Sequence, residues 1–272
     1  MALEEVLRVN TPVTTLRAAA RLLRLPAILV ALAAAAPVPD VPSASVVNAV
    51  SVPAVASPVQ EAVSTPATAV FAKGADGLSP QILAAALDAI SCARARGVAG
   101  REDVLTVIDY TLPSTAPRLW VLDLAHGKVL FHELVAHGAG SGDLVATRFS
   151  NVDDSRQTSL GLFLTAGTYE GGKGYSLKLK GLDEGINDRA EERSIVMHGA
   201  WYVSRDHARQ YGRLGRSWGC PALSQEKVKP VIDTIKGGTF VFSYSGADKG
   251  WLQKASTSLH GPSCPLSKAK KA

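Results

Sequence analysis

Between residues 79 and 96, apolar residues recur at helical spacing, with Ile82, Leu83, Leu87 and Ile90 falling on one face. Ser79-Pro80 supplies a cap and a first-turn residue and Gly97 a stop, so a helix is expected from there to about Arg96. Beyond it the period changes. Arg118 to Leu124 and Val129 to Ala136 are β-rich runs joined by His126-Gly127-Lys128, the pattern of a hairpin. Further strands are expected at Leu160 to Thr165, Tyr175 to Leu179, Ile195 to Met197 and Thr239 to Tyr244, with a short helix at Lys227 to Ile235. Gly138, Gly140 and Gly142 read as a flexible crossing. Strands dominate and helices flank, which predicts a mainly β (α+β) domain over residues 71–250.

The pattern ahead of that domain is different. Arg17, Arg21 and Arg24 precede an apolar run from Leu25 to Ala36 broken only by Pro26, the layout of an export signal. Residues 1–36 are therefore expected to be a signal peptide or signal anchor, cut near Ala36 or near Ser43-Ala44-Ser45. No later stretch is apolar enough to span a membrane, so no stable span is expected after processing. From Pro37 to about residue 70 the composition collapses to Ala, Val, Pro and Ser, which reads as a linker. Residues 251–272 form a basic tail containing Lys268, Lys270 and Lys271.

Charge adds little once it is located. The net charge is +5. Four Arg against two Glu before residue 37 leave 25 basic and 22 acidic residues, and the three tail lysines account for that remainder. No basic run with interleaved aromatics occurs in the body, so a nucleic-acid partner is not expected.

Candidate chemistry concentrates between Ser194 and Ala222. The short strand at Ile195 to Met197 delivers His198 to its end, and some twenty residues later Gly219 precedes Cys220. A free thiol titrates near 8.5, so a neighbouring imidazole is needed to raise its thiolate fraction near neutrality. Glycine before the nucleophile allows a sharp turn, and the amides of Gly219 and Cys220 can then point at a developing oxyanion. Three cysteines, Cys92, Cys220 and Cys264, leave an odd thiol in an oxidising compartment. Cys92 with Cys264 bonded, or three free thiols, are both compatible with the sequence.

Those residues carry a resemblance. His198-Gly199-Ala200 and Gly215-Arg216-Ser217-Trp218-Gly219-Cys220-Pro221-Ala222, with Phe149-Ser150-Asn151, Thr158-Ser159-Leu160-Gly161 and the run from Gly181 to Asp188, resemble the YkuD-like murein L,D-transpeptidases. The likeness covers roughly residues 105–245. It implies the family's β-rich fold, peptidoglycan stem peptides as partner, Cys220 as nucleophile and His198 as base. It further implies Ser217 and Gly219 as parts of the catalytic loop, and no metal or cofactor. Better-known members carry His before the Gly-Cys pair and Asn or Arg soon after the cysteine; here Trp218, Pro221 and Ala222 stand there. Arg213 or Arg216 is then the candidate to hold a substrate carboxylate, with Gly199, Asn151, Trp201 and Trp218 as further substrate-binding candidates. By the same resemblance Cys220 attacks a tetrapeptide stem, D-Ala leaves and a thioester remains; its resolution by an amine gives a cross-link, and by water an L,D-carboxypeptidase.

Plainer readings stand beside these. Trp201, Tyr202 and Trp218 are core residues by default, and a catalytically silent wall-binding module would keep Cys220 as a structural residue. His137 and His207 are alternative histidines, the latter in an exposed polar stretch from Asp206 to Gln210. His132-Glu133 lacks a second His four residues on, which removes a zinc-protease motif.

Overall fold

The computed structural model describes Phe71, Ala75 and residues 77–247. The expected export segment, the linker, Cys264 and the basic tail lie outside the described residues. Helix α1 (Pro80–Ala95) has Pro80 in its first turn and buries Ile82, Leu83, Ala86, Ala89, Ile90 and Ala93. It ends before Gly97, whose φ of 84° suits a residue without Cβ.

The strands are β1 (Arg101–Asp109), β2 (Leu119–Asp123), β3 (Lys128–Glu133), β4 (Gly161–Gly171), β5 (Gly174–Gly181), β6 (Val196–Gly199), β7 (Ala222–Leu223) and β8 (Thr239–Tyr244). Helix α2 (Arg205–Tyr211) follows β6, and α3 (Gln225–Ile235) follows β7. The sheet order is β3-β2-β1-β8-β4-β5-β6-β7. The pairs β1–β8 and β6–β7 are parallel and the rest antiparallel. Just after β3, Ala136 exchanges backbone hydrogen bonds with Ala222 of β7, at 2.8 and 3.4 Å. The two edges of the sheet thereby meet in a near-closed barrel, which removes most exposed strand edge. Mainly β with flanking helices is the expected class.

Three elements differ from expectation. Strand β1 lies in the middle of the sheet, yet Arg101, Glu102 and Asp103 are charged and every residue from Val104 to Asp109 is buried, so its sequence shows no alternation. Helix α2 occupies the exposed polar stretch around Asp206 to Gln210, for which no element was expected: Ser204 caps it by accepting from the His207 N–H at 3.1 Å, and Gly212 closes it at φ 69°. It buries none of its residues, so no apolar stripe marked it. Strand β4 also outruns its expected end at Thr165, because its second half is a solvent-exposed hairpin arm paired with β5.

Candidate active site

Strand β6 carries His198 and places it beside Ala222 of β7 in a parallel pair, with Ser176 of β5 on its other side. The imidazole is buried, and its Nδ1 lies 2.9 Å from the Gly199 carbonyl. A carbonyl only accepts, so Nδ1 carries the proton and Nε2 is left with its lone pair. Burial pulls the His198 pKa below its ordinary value, which keeps the ring neutral near pH 7.

Cys220, a free thiol, stands two residues before Ala222. The Val196 N–H donates to Sγ at 3.4 Å, and the thiol donates to the Ser194 carbonyl at 3.7 Å. Burial pushes the thiol pKa up, against the opposing pulls of the Val196 N–H, Arg193 and Lys173. Ser194 has φ 53°, a left-handed conformation that costs a non-glycine residue about 1–2 kcal/mol. Among the described residues no hydrogen bond joins the imidazole to Sγ, so thiol and imidazole rest as separate groups, each favoured in its neutral form by burial. Cys92 is disulfide-bonded, which excludes the alternative of three free thiols.

The loop before the cysteine is tied down by short hydroxyl side chains. Ser217 Oγ accepts from the Gly219 N–H at 3.1 Å and donates to the Cys220 carbonyl at 2.6 Å. Thr158 Oγ1 donates to the Gly219 carbonyl at 3.1 Å and accepts from the Gly138 N–H at 2.9 Å. The expectation that the Gly219 amide points at an oxyanion is therefore corrected: Ser217 occupies it. Gly219 itself, at φ 127°, is needed for the turn. A Cβ on Gly138 would sit 2.3 Å from the Arg156 carbonyl and 2.8 Å from the Gly219 Cα. The glycines from 138 to 142 thus serve close backbone approach rather than a flexible crossing.

Several expected substrate-binding residues are engaged elsewhere. Arg216 Nη1 pairs with Asp143 at 2.6 Å and Arg213 Nε lies 3.9 Å from the same carboxylate, so both arginines already face an anion. The side-chain amide of Asn151 donates to Asp188 at 2.7 Å and accepts from the Arg189 N–H at 3.2 Å, joining two loops. Gly199 faces α3, where a Cβ would come within 2.9 Å of a Val228 methyl. Trp201 and Trp218 are not core: they are 72% and 75% exposed. The Arg156 guanidinium lies over the Trp218 ring at 4.8 Å, and Trp201 meets the His207 ring edge-on at 5.6 Å. His137 is buried beneath the site, with Nδ1 2.8 Å from Arg118 Nη2 and Nε2 3.3 Å from the Gly142 carbonyl. Burial and the Arg118 charge lower its pKa to about 4.

Arg193 escaped the sequence reading. Its Nη1 donates to the Ser150 carbonyl and Ser159 Oγ, both at 2.6 Å, and its Nη2 to the Gln157 carbonyl at 2.7 Å and Ser155 Oγ at 3.2 Å. The same Nη2 lies 3.6 Å from where a Cβ on Gly219 would be. One guanidinium thus pins the 150–159 segment against the Cys220 loop and places positive charge near the thiol. A lone Arg after Glu191-Glu192 looks like a surface ion pair, and no periodicity distinguished it.

The match to the L,D-transpeptidase catalytic domain family spans residues 74–244. The chain belongs to that family. Solved structures similar to it include an L,D-transpeptidase from Mycobacterium smegmatis, 16% identical with a TM-score of 0.33, covering 52% of this chain and 58% of that one. An L,D-transpeptidase from Stackebrandtia nassauensis is 16% identical with a TM-score of 0.33, covering 58% and 65%. L,D-transpeptidase 1 of Mycobacterium tuberculosis is 15% identical with a TM-score of 0.30, covering 53% and 62%. The matched region thus spans less than two thirds of each of those chains. No curated protein gives a significant match.

Proposed function

We propose that the protein is a peptidoglycan-modifying cysteine L,D-transpeptidase acting on stem tetrapeptides. The observation that carries this reading is the free Cys220 thiol, held in a braced Gly-Cys turn two residues before the strand that pairs with His198. Cys220 Sγ attacks the carbonyl of the diamino acid as its proton passes to His198 Nε2. Collapse of the tetrahedral intermediate breaks the bond to the terminal D-Ala, which leaves as the amine with that proton, and a thioester remains. A side-chain amine of a second stem attacks the thioester and forms the new peptide bond, and the thiol is restored. Water in place of the amine gives an L,D-carboxypeptidase, and the muropeptide product, dimer or trimmed monomer, separates the two. Exposed Trp201 and Trp218 flank the catalytic segments and supply walls for a peptide.

The test is covalent. Purified protein incubated with a tetrapeptide donor, or with a carbapenem, is expected to gain the acyl mass on the peptide containing Cys220. Cys220→Ala is expected to lose the adduct while keeping its thermal unfolding transition. An adduct on Cys92, or full turnover by folded Cys220→Ala, overturns the reading.

An enzyme of assembled wall works outside the cytoplasm, and the Arg-flanked apolar run supplies the export route. Among the described residues no helix is long and apolar enough to cross a membrane. Intact mass of the exported protein is expected to show loss of roughly the first 36 to 45 residues, and an uncut cytoplasmic species contradicts it.

A further inference from the structure

Backbone strain in this protein gathers around one guanidinium. Among the described residues, the non-glycine residues at positive φ are Asp154, Arg156 and Ser194, each at 53°. Asp154 and Arg156 flank Ser155, whose Oγ accepts from Arg193 Nη2, and Ser194 follows Arg193 in the chain. Left-handed backbone is disfavoured for any residue with a Cβ and persists only where the surroundings impose it.

The turn at Ser194 is built for glycine. The Ser194 N–H donates to the Glu191 carbonyl at 3.0 Å, and the Ile195 N–H donates to the Ala190 carbonyl at 2.9 Å. That pair of bonds is the helix-ending turn whose left-handed position is customarily glycine, and here a serine holds it. The turn directs the Ser194 carbonyl to Cys220, whose thiol donates to it at 3.7 Å, while the Val196 N–H donates to the same Sγ at 3.4 Å. One short segment thus supplies an acceptor for the S–H and a donor for the sulfur, which together define one resting direction of the thiol.

Arg193 ties that segment to the far side of the Cys220 loop. Its Nη1 and Nη2 donate to four acceptors between residues 150 and 159. Its Nε is buried and donates to nothing among the described residues. A buried donor left unmatched is costly, so the guanidinium is placed for what its two ends reach. A Cβ on Gly219 would stand 2.9 Å from the Gln157 carbonyl that Arg193 holds, and 3.6 Å from Arg193 Nη2 itself. The clamp therefore bears directly on the residue before Cys220.

We propose that Arg193 and Ser194 are positioning residues for Cys220: the Arg193 clamp holds the 150–159 segment and the Ser194 turn against the Cys220 loop, and the Ser194 carbonyl sets the direction of the thiol before substrate arrives. The inference rests on the transpeptidase reading for its effect on turnover alone, because the state of the thiol is measured without substrate. The two residues act on the thiol proton in opposite senses. The Ser194 carbonyl accepts the S–H and favours the thiol, whereas the Arg193 charge favours the thiolate. Lys173 on the β4–β5 turn and the phenols of Tyr110 and Tyr202 share the thiol's electrostatic surroundings, as does His198 on β6 within the same site, and the variants below leave all four in place.

The full chain is alkylated with iodoacetamide across a range of pH, the rate at the Cys220 peptide is read by mass spectrometry, and thermal unfolding is followed for each variant. Ser194→Val, whose β-branched side chain resists the left-handed region, is expected to move the alkylation midpoint down by about half a pH unit or more. Arg193→Met is expected to move it up. Ser194→Gly keeps the turn and the carbonyl; this conservative control is expected to retain the wild-type midpoint and to raise the unfolding temperature. On a tetrapeptide donor, kcat of Ser194→Val and of Arg193→Met is expected to fall about tenfold or more, with KM changed far less. A purely structural role lowers the unfolding temperatures of those two variants and leaves both midpoints in place, and that result overturns the inference. Midpoints that move in the same direction, or a Ser194→Gly midpoint that follows Ser194→Val, overturn it as well. If Arg193→Met does not fold, the comparison of Ser194→Val with Ser194→Gly decides. Variant midpoints that move as expected in a chain whose Cys220 no donor acylates overturn the transpeptidase reading and support this inference.

Discussion

At the scale of single residues, burial favours the uncharged forms of the His198 imidazole and the Cys220 thiol. Burial lowers the His198 pKa and raises that of Cys220, so an ion pair is not the ground state. On the proposed mechanism, proton transfer is then coupled to substrate arrival, with His198 Nε2 free because Nδ1 is fixed on the Gly199 carbonyl. His198→Ala is expected to lower turnover by on the order of 10²-fold or more, the usual cost of losing a positioned base. His207→Ala is expected to be mild, since that ring packs between Trp201 and Tyr211 at the surface. Steady-state rates of the two variants on one tetrapeptide donor check this, and a reversed order removes His198 from the role of base.

At the scale of elements, the Cys220 loop is one member of a three-segment knot. Gly138 pairs with Ser217, Gly140 donates to the Arg156 carbonyl, and Thr158 bonds to both the first segment and the Cys220 loop. The family-like words at 158–161 and 181–188 do similar architectural work. Asn187 donates to the Leu160 and Leu162 carbonyls, and buried Asp183 accepts from the Leu162 N–H at 2.7 Å. Much of the resemblance therefore lies in backbone bracing rather than in groups that touch substrate. Gly138→Ala tests this coupling. Its methyl meets backbone on two sides, neither a flexible side chain, so the loops must part. A loss of about 1–3 kcal/mol in urea unfolding is expected, with a fall in kcat although residue 138 carries no reactive group. An active, fully stable variant contradicts the knot.

At the scale of the whole molecule, barrel closure buries polar machinery beneath the site. Arg118 is fully buried and, among the described residues, pairs with no carboxylate; it donates to the Val135 and Leu112 carbonyls and to His137. Burial lowers its pKa to about 10, and its charge helps to hold His137 near 4. A histidine whose folded pKa is depressed stabilises the fold above its unfolded pKa, near 6.5, and loses that contribution as pH falls through the folded value. Stability is expected to drop by on the order of 3 kcal/mol from this group as pH falls from about 6.5 to about 4. His137→Gln keeps an acceptor for Arg118 and a donor for Gly142 but cannot titrate, so its unfolding free energy is expected to vary less over that window. Equal acid slopes in urea titrations of the two proteins contradict the assignment.

Local pattern by itself determined much of this protein. Helix α1 with its Pro80 start and Gly97 stop, the hairpin of β2 and β3, strands β6 and β8, and the Gly219-Cys220 turn are each written in a few adjacent residues. Such features depend on spacing and backbone chemistry that act within one or two turns of chain. Only the tertiary structure decided the rest. Strand β1 is covered on both faces by distant elements, so burial erased its alternation. Arg193 matters because residues some 34 to 43 positions away converge on it. Arg213 and Arg216 turn towards Asp143, about 70 positions upstream, and Trp201 and Trp218 stand largely in solvent, the one edge-on to His207 and the other under the Arg156 guanidinium. Charge pairing and burial are properties of which segments meet, and that is set by closure of the sheet rather than by any stretch of sequence.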